Sequence, residues 1–531
     1  MGNYTKQIEE KKDRKEKEDA AKEEGKDKKK KKDTAEEEAP KDGVKDIAVE
    51  TDRIEERIVR LTPISGSLSS YTLDKEGKTL YYIATYGRQS EMFKCDFRKG
   101  SSPKKIQDID GSLAWDSKYE NLFIFGRGIS RMKGGNGSPE SVAVSARLEY
   151  DPAAERAYLY DHIWKQEKER FYSVDLHGVD WVLMGDNYRQ FLPSIDNDYD
   201  FAELASELLG ELNVSHTGAM YRPSSETGDD ATAELGLFFA DDFSGDGLLV
   251  EEVVDGGPFD KAASKVASGD LLLAIDGEEI IAGEDWYHML NRKAGKKVLC
   301  SFRKADGSAF EEIVTPVSIS AMRSLLYRRW VKNNARMVEE LSGGRLGYVH
   351  IESMDDESYR TIYADILGKY YHCDGIVIDT RYNGGGRLHE DIEILFSGTK
   401  YLTQVVRGKE ACDMPSRRWN KASIMVTGEY NYSNAHGTPW VYQHMGIGSV
   451  VGMPVPGTMT SVSWETLQDP TLVFGIPAVG YRTAQGGYLE NDQLDPDFMV
   501  ANDPETVVKG EDAQLKVAVE QLLKEIDARK K

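Results

Sequence analysis

From about Arg57 to Val144 the chain alternates short apolar–aromatic runs with charged or glycine-bearing turns. Thr79-Leu80-Tyr81-Tyr82-Ile83 follows Asp74-Lys75-Glu76-Gly77, and Asn121-Leu122-Phe123-Ile124-Phe125 follows Asp116-Ser117-Lys118. Both patterns predict strands entered from tight turns. The runs lie about 42 residues apart, close to the repeat of a propeller blade. Two blades cannot close a propeller, so the segment reads as the end of a larger one.

After Asp151 the period becomes helical. Ala154–Trp164 and Phe201–Gly210 place apolar residues three and four apart, and the second run ends on a glycine. A small helical domain is predicted there. Residues 233–318 then read as a compact β-rich module. Leu235-Gly236-Leu237-Phe238 opens a strand, Gly247–Val253 and Gly269–Gly277 continue it, and Pro258–Ala263 predicts a short helix. This order resembles a PDZ domain, whose loop at Leu235, Gly236, Leu237 and Phe238 would take a peptide carboxylate while the peptide adds as a strand. A PDZ-like spacer with a closed groove is the blander alternative.

From Arg345 to about Asp503, buried-type strands (Leu346–Ile351, Gly375–Asp379, Ser423–Thr427, Ser449–Val451) alternate with helical stretches, one near Tyr359–Tyr370. That βαβ rhythm predicts an α/β layer domain. A last amphipathic helix is expected over about Pro504–Ala528.

Composition narrows the function classes. The 531 residues are 40% hydrophobic and 10% aromatic, enough for several cores and too many for a wholly disordered chain. The first 41 residues hold 14 Lys+Arg against 13 Asp+Glu and few large apolar groups, so they predict a solvated leader. With +1 in that segment and −23 overall, the body carries −24. A surface that acidic repels phosphate backbones, which excludes nucleic acid as the expected partner. No run reaches the roughly 18–20 apolar residues of a membrane span. The charged N-terminal stretch is unlike a secretory signal, which favours the cytoplasm, with the periplasm as the alternative for a processed chain. Four scattered cysteines (Cys95, Cys300, Cys373, Cys412) form no CxxC pair and read as buried thiols, without a disulfide framework or zinc site.

Three segments carry candidate chemistry: Ser215-His216-Thr217 beyond a predicted helix, Asp379-Thr-Arg-Tyr-Asn383-Gly384-Gly385-Gly386 after a buried strand, and Tyr432-Ser433-Asn434-Ala435 between a strand and a helix. A serine at a strand-to-helix turn suits acyl transfer: its hydroxyl stands clear of the sheet and the helix N-terminus favours negative charge. Glycines on a neighbouring strand end let backbone N–H groups approach. The serine needs a base, because it is a poor nucleophile at its own pKa. Taken singly, a glycine turn is often only a turn and a helix-start serine only a cap.

Taken in order, these motifs, with Glu490-Asn491 ahead of Asp495-Pro496-Asp497, resemble the C-terminal half of the tricorn proteases, within the tail-specific serine peptidase group. The likeness is strongest after residue 150. It implies a multidomain α+β and α/β chain: a charged leader (1–45), a partial β-propeller-like remnant (46–148), a small helical domain (149–230), a PDZ domain (231–318) and an α/β sandwich catalytic domain (319–531). It further implies Ser433 as nucleophile, His216 as base, Ser215 and Glu490 completing a tetrad, and an oxyanion hole from the N–H groups of Gly385 (Gly384 the near alternative) and Asn434. No metal or organic cofactor is expected; peptides or unfolded proteins are the expected substrates and a homo-oligomer the expected assembly.

In Ser–Lys tail-specific proteases a lysine follows the serine in a Thr-Phe-Gly-Lys-Gly-like turn. Here the matching stretch is Pro456-Gly-Thr-Met-Thr-Ser-Val462, and no lysine lies between Ser433 and Lys509. That weakens a Ser–Lys processing protease and favours histidine. A noncatalytic peptide-binding scaffold is the other alternative, countered by the presence of all four tetrad residue types. Of the remaining histidines, His436 is expected at an exposed or capping position, with lining the site as its alternative. His350 and His372 are expected to be structural and His177 local scaffolding. Arg381 is expected to anchor a carboxylate inside the fold.

Overall fold

A computed structural model describes residues 49–62, 66–86, 89–147, 149–223 and 230–529; the expected leader, 1–45, lies outside them. The chain divides into two compact units at Tyr150/Asp151. Architecture is mixed α/β and multidomain, with no closed barrel among the described residues.

In the first unit both predicted strands form. Strands β1 (Ser67–Leu73), β2 (Thr79–Tyr86), β3 (Gln89–Asp96) and β4 (Lys104–Asp108) make one antiparallel sheet, and β5 (Ser112–Trp115), β6 (Asn121–Phe125), β7 (Ile129–Lys133) and β8 (Glu140–Ser141) a second. Tyr81, Ile83 and Met92 from one sheet and Leu122, Ile124 and Met132 from the other share a single core.

The second unit opens with helices α1 (Pro152–Arg170), α2 (Trp181–Arg189) and α3 (Asp198–Gly210). Asp151 caps α1 through the N–H groups of Ala153 and Ala154, and Pro152 sits in the first turn. The helices do not close their own core: Leu467, Leu472, Phe474 and Ile476 pack into it beside Leu159, Tyr160, Phe201 and Leu208. Those four come from the far C-terminal part of the chain, which folds back to pair with β9 (Gly218–Tyr221).

The β-rich module orders its strands β10 (Leu237–Phe239), β11 (Leu248–Val253), β12 (Leu271–Ile275), β14 (Val298–Arg303) and β15 (Ala309–Val314), with β13 (Glu278–Glu279) on β12. The helix expected at Pro258–Ala263 does not form; the segment is bends and a turn. Instead Asp260 turns its carboxylate back to the Gly256 N–H at 2.7 Å, and so short a run cannot offset the cost of helix nucleation.

Helix α4 (Ile319–Ser342) leads into the α/β layer. Its parallel sheet runs β16 (Leu346–His350), β17 (Gly375–Asp379), β20 (Ala422–Thr427), β21 (Val450–Gly452) and β24 (Phe498–Met499). A hairpin, β18 (Leu402–Val406) with β19 (Lys409–Met414), projects between them. Every residue of β16, β17 and β20 is buried, as expected for strands covered on both faces. Helices α5 (Asp356–Ala364), α6 (His389–Phe396) and α7 (Asn434–His444) cover one face through Ile362, Ile392, Leu395 and Tyr442. On the other face Val338 of α4 packs with Leu515, Val519 and Leu522. The expected C-terminal helix is two pieces, α8 (Pro504–Val507) and α9 (Ala513–Arg529). Gly510, at φ 83°, breaks it, and Asp512 then caps Leu515 while accepting from Arg381 at 2.8 Å. Finally β22 (Thr460–Thr466) and β23 (Leu472–Gly480) form a three-stranded sheet with β9. This pairing carries the loop after α3 across to the α/β layer.

Candidate active site

Four chain segments far apart in sequence meet where these sheets adjoin. Ser433 stands at the end of β20's loop, immediately before α7, with φ 58° and ψ −126°. That backbone is strained for a residue with a side chain, and such strain is characteristic of a serine presented at a sharp strand-to-helix turn. His216 (φ 65°) and Asn491 (φ 60°), beside Glu490, are also in the left-handed region. The buried frame around them holds these conformations.

Ser215 is tied to Glu490 by two contacts and to His216 by a third. Ser215 N–H donates to Glu490 Oε1 at 2.5 Å, Ser215 Oγ–H donates to Glu490 Oε2 at 2.9 Å, and His216 Nδ1 lies 2.8 Å from Ser215 Oγ. Asn491 Nδ2 donates to the Asn213 carbonyl at 2.8 Å, locking the two loops together. Burial lowers the His216 pKa, so its ring is neutral at pH 7. Burial raises that of Glu490, opposed by the N–H and hydroxyl of Ser215. Because Ser215 donates its only hydroxyl proton to Glu490 Oε2, Ser215 Oγ is left to accept from Nδ1. That arrangement puts the ring proton on Nδ1 and a lone pair on Nε2.

His216 reaches the serine's segment through Tyr432. The His216 N–H donates to the Tyr432 hydroxyl at 2.6 Å, and the two ring centroids are 4.7 Å apart. No hydrogen bond joins Ser433 Oγ to the His216 ring among the described residues. On the other side, Ser433 N–H donates to Thr458 Oγ1 at 2.9 Å.

The glycine turn abuts the serine. Gly385 has φ 98°, and a Cβ there would lie 2.6 Å from Ser433 Cβ and 2.8 Å from the Tyr432 carbonyl; only glycine fits. Its N–H donates to Asn383 Oδ1 at 2.8 Å. The compact turn after β17 folds the Asn383 side chain back over the loop, and its Nδ2 donates to the Ile351 carbonyl. Asn434 Oδ1 accepts the N–H groups of Leu388 and His389, pinning the exit of the turn to the start of α7.

His436 departs from the exposed or capping reading: it is fully buried, and neither ring nitrogen has a hydrogen-bond partner among the described residues. Burial drives its pKa down to about 4, partly offset by Asp492. Helix α7 is buried nearly all round, so its sequence shows no polar face to place the residue. His350 is held between Tyr327 Oη and the Arg381 carbonyl, and His177 between Tyr172 Oη and the Leu212 carbonyl. His372 lies beside Cys373, its Nε2 3.8 Å from Sγ. Arg381 anchors Asp379 and Asp512. All four cysteines are free thiols, three of them buried. Among the described residues no group of three or more His, Cys, Asp or Glu could hold a metal, and no helix is long and apolar enough to cross a membrane.

In the β-rich module, Leu235 and Leu237 are buried and Gly236 has φ 72°. Phe238 packs toward Val254, Met322 and Leu325, with the Arg329 guanidinium 5.1 Å from its ring centroid. β10 is an edge strand of its sheet.

Tyr432, Thr458, Thr460 and Asn383 are contacts that reading the sequence did not assign. Hydroxyl and amide residues in loops have no spacing that marks them; only the position of Thr458 and Thr460 in the stretch where other peptidases carry lysine pointed there.

Two family models match the chain: peptidase family S41 over residues 345–500 and the tricorn protease C1 domain over residues 152–210. Tricorn protease homolog 1 of Streptomyces coelicolor is 27% identical over 403 residues, covering 73% of this chain and 37% of that protein. The tricorn protease of Thermoplasma volcanium is 23% identical over 513 residues, covering 90% and 49%. The chain thus spans half or less of the length of these relatives. A crystal structure of the tricorn protease superposes with a TM-score of 0.75 at 20% identity, over 87% of this chain and 47% of that one.

Proposed function

We propose, for a chain that is tricorn-like and carries a peptidase family S41 domain, that it is a serine peptidase hydrolysing peptides or unfolded polypeptides through Ser433. The observation that carries this reading is the hydrogen-bonded line Glu490–Ser215–His216, which leads to the segment presenting Ser433.

In the proposed reaction Ser433 Oγ attacks the scissile carbonyl carbon while His216 Nε2 takes its proton. Nucleophile–base contacts of this kind commonly tighten only when substrate fills the site. The imidazolium formed is stabilised through Ser215 by the Glu490 carboxylate. The carbonyl oxygen becomes an oxyanion beside the Asn434 N–H, which opens α7, and the Gly385 N–H, shared with Asn383 Oδ1; Gly384 is the neighbouring alternative. Collapse of the tetrahedral adduct returns the proton from Nε2 to the leaving amine, and water then hydrolyses the acyl-enzyme by the same steps in reverse.

Residues 231–318 are proposed as a PDZ domain that docks extended chain ends on β10, 149–230 as a C1-like helical domain, 319–531 as a C2-like catalytic domain, and 46–148 as a propeller-like remnant. By analogy with its relatives a homo-oligomer is proposed.

Ser433→Ala and His216→Ala should each abolish hydrolysis of an unstructured peptide with the circular dichroism spectrum unchanged, and the double variant should be little worse than either. Full activity in one folded single variant would end the proposal.

A further inference from the structure

The Nδ1 side of His216 is not served by Ser215 alone. Thr460 Oγ1 lies 2.9 Å from His216 Nδ1 and also 2.9 Å from Ser215 Oγ, and it reaches the Ser215 carbonyl at 3.3 Å. Thr460 is 2% exposed, so water does not compete for its hydroxyl. It is the first residue of β22, whose pairing with β23 fixes the backbone beneath it. Two residues earlier, Thr458 Oγ1 accepts the Ser433 N–H. One three-residue segment therefore touches both the proposed nucleophile's backbone and the proposed base's ring.

Counting protons gives Thr460 its role. Ser215 donates its only hydroxyl proton to Glu490 Oε2, and the ring N–H at Nδ1 faces two hydroxyl oxygens at 2.8 and 2.9 Å. The Thr460 proton can then go to the Ser215 carbonyl or to Ser215 Oγ. Both outcomes leave a Thr460 lone pair for the ring N–H.

We infer that Thr460 is a positioning residue: a second acceptor for the His216 Nδ1–H, acting in parallel with Ser215, which holds the ring in the tautomer that leaves Nε2 free and shares the N–H when the ring becomes charged. The inference rests on the serine-peptidase reading and extends it. It follows that Ser215 is partly redundant. When Ser215 Oγ is removed, Thr460 still accepts from Nδ1; when Thr460 is removed, Ser215 does. Losing both leaves the ring N–H with no acceptor from either side chain, and the wrong tautomer then costs nothing.

The test is a double-mutant cycle in the full chain, Ser215→Ala and Thr460→Val, with Thr460→Ser as the conservative rescue. Each single variant should lower kcat about tenfold with KM little changed, and Thr460→Ser should recover most of it. The double variant should fall about 10³–10⁴-fold, well beyond the product of the singles, as expected when a base loses its tautomer control. A Ser215→Ala loss as deep as the double variant's, or a Thr460→Val enzyme with unchanged kcat, would overturn the inference. A readout independent of turnover is the ¹⁵N spectrum of histidine-labelled protein, with the His216 signals assigned by His216→Gln. Nδ1 should be the protonated nitrogen in the parent chain, shift in Thr460→Val, and give a mixed tautomer in the double variant; Nδ1 unmoved by Thr460→Val contradicts the assignment. If the parent chain neither hydrolyses peptides nor reacts with a fluorophosphonate, the peptidase reading has failed, and the ¹⁵N signals decide the place of Thr460 alone.

Discussion

Glu167, in the last turns of α1, is fully buried, and neither carboxyl oxygen has a hydrogen-bond partner among the described residues. Burial raises its pKa from 4.5 to about 8, only partly offset by Arg170. Below pH 4.5 the group is neutral in both the folded and unfolded chain and carries no penalty. Between about 4.5 and 8 the unfolded chain ionises while the folded one keeps its proton, so stability falls as pH rises; above 8 the loss levels off. The full shift corresponds to roughly 5 kcal/mol, or about a 3,000-fold change in the opening equilibrium. Glu167→Gln removes the titration while preserving shape. The relevant assay is hydrogen exchange of peptides covering residues 152–212 and 467–480, which share the core of the helical segment, corrected for intrinsic exchange between pH 5 and 9. Protection of the parent chain should decline across that range, and the variant's should not, so that the gap between them widens toward pH 8. A gap that stays constant from pH 5 to 9 would refute the buried, proton-retaining carboxyl. Because this core also packs β23, which pairs with β9 just beyond His216, the same decline should loosen the proposed base.

Other expectations are as direct. Gly385→Ala places a Cβ 2.6 Å from Ser433 Cβ at a backbone angle that disfavours any side chain; hydrolysis should fall at least a hundredfold, read as kcat/KM on a peptide, with the unfolding transition shifted far less. Because burial lowers the His216 pKa, the neutral base persists as the solution is acidified, and the acid limb of kcat/KM should lie below the ordinary histidine value of about 6.5. A limb above 6.5 contradicts that environment for the base.

Much of the α/β layer could be read from the sequence because β16, β17 and β20 are covered on both faces and so appear as unbroken apolar runs between helical stretches. The turn chemistry before β2 and β6 was equally plain. What escaped depends on contacts between distant residues. Gly510 interrupts the last helix where Asp512 meets Arg381, about 130 positions earlier. β9 joins β23 across some 250 residues, and no local pattern announces that pairing. At the candidate site the serine, histidine and glycine turn stood out by residue type and order, whereas Thr460 and Asn383 matter only because the folded chain brings them within 3 Å of their partners. His436 escaped for the opposite reason: α7 is apolar or small on nearly every side, so burial there leaves no periodic trace.

The most direct measurement is the site of covalent modification by a fluorophosphonate, mapped by peptide mass spectrometry on the parent chain and on His216→Ala. The account predicts one phosphonylated residue, Ser433, in the parent chain, and loss of labelling in the folded His216→Ala variant. Modification at a different serine, or undiminished labelling of Ser433 once His216 is gone, would contradict it.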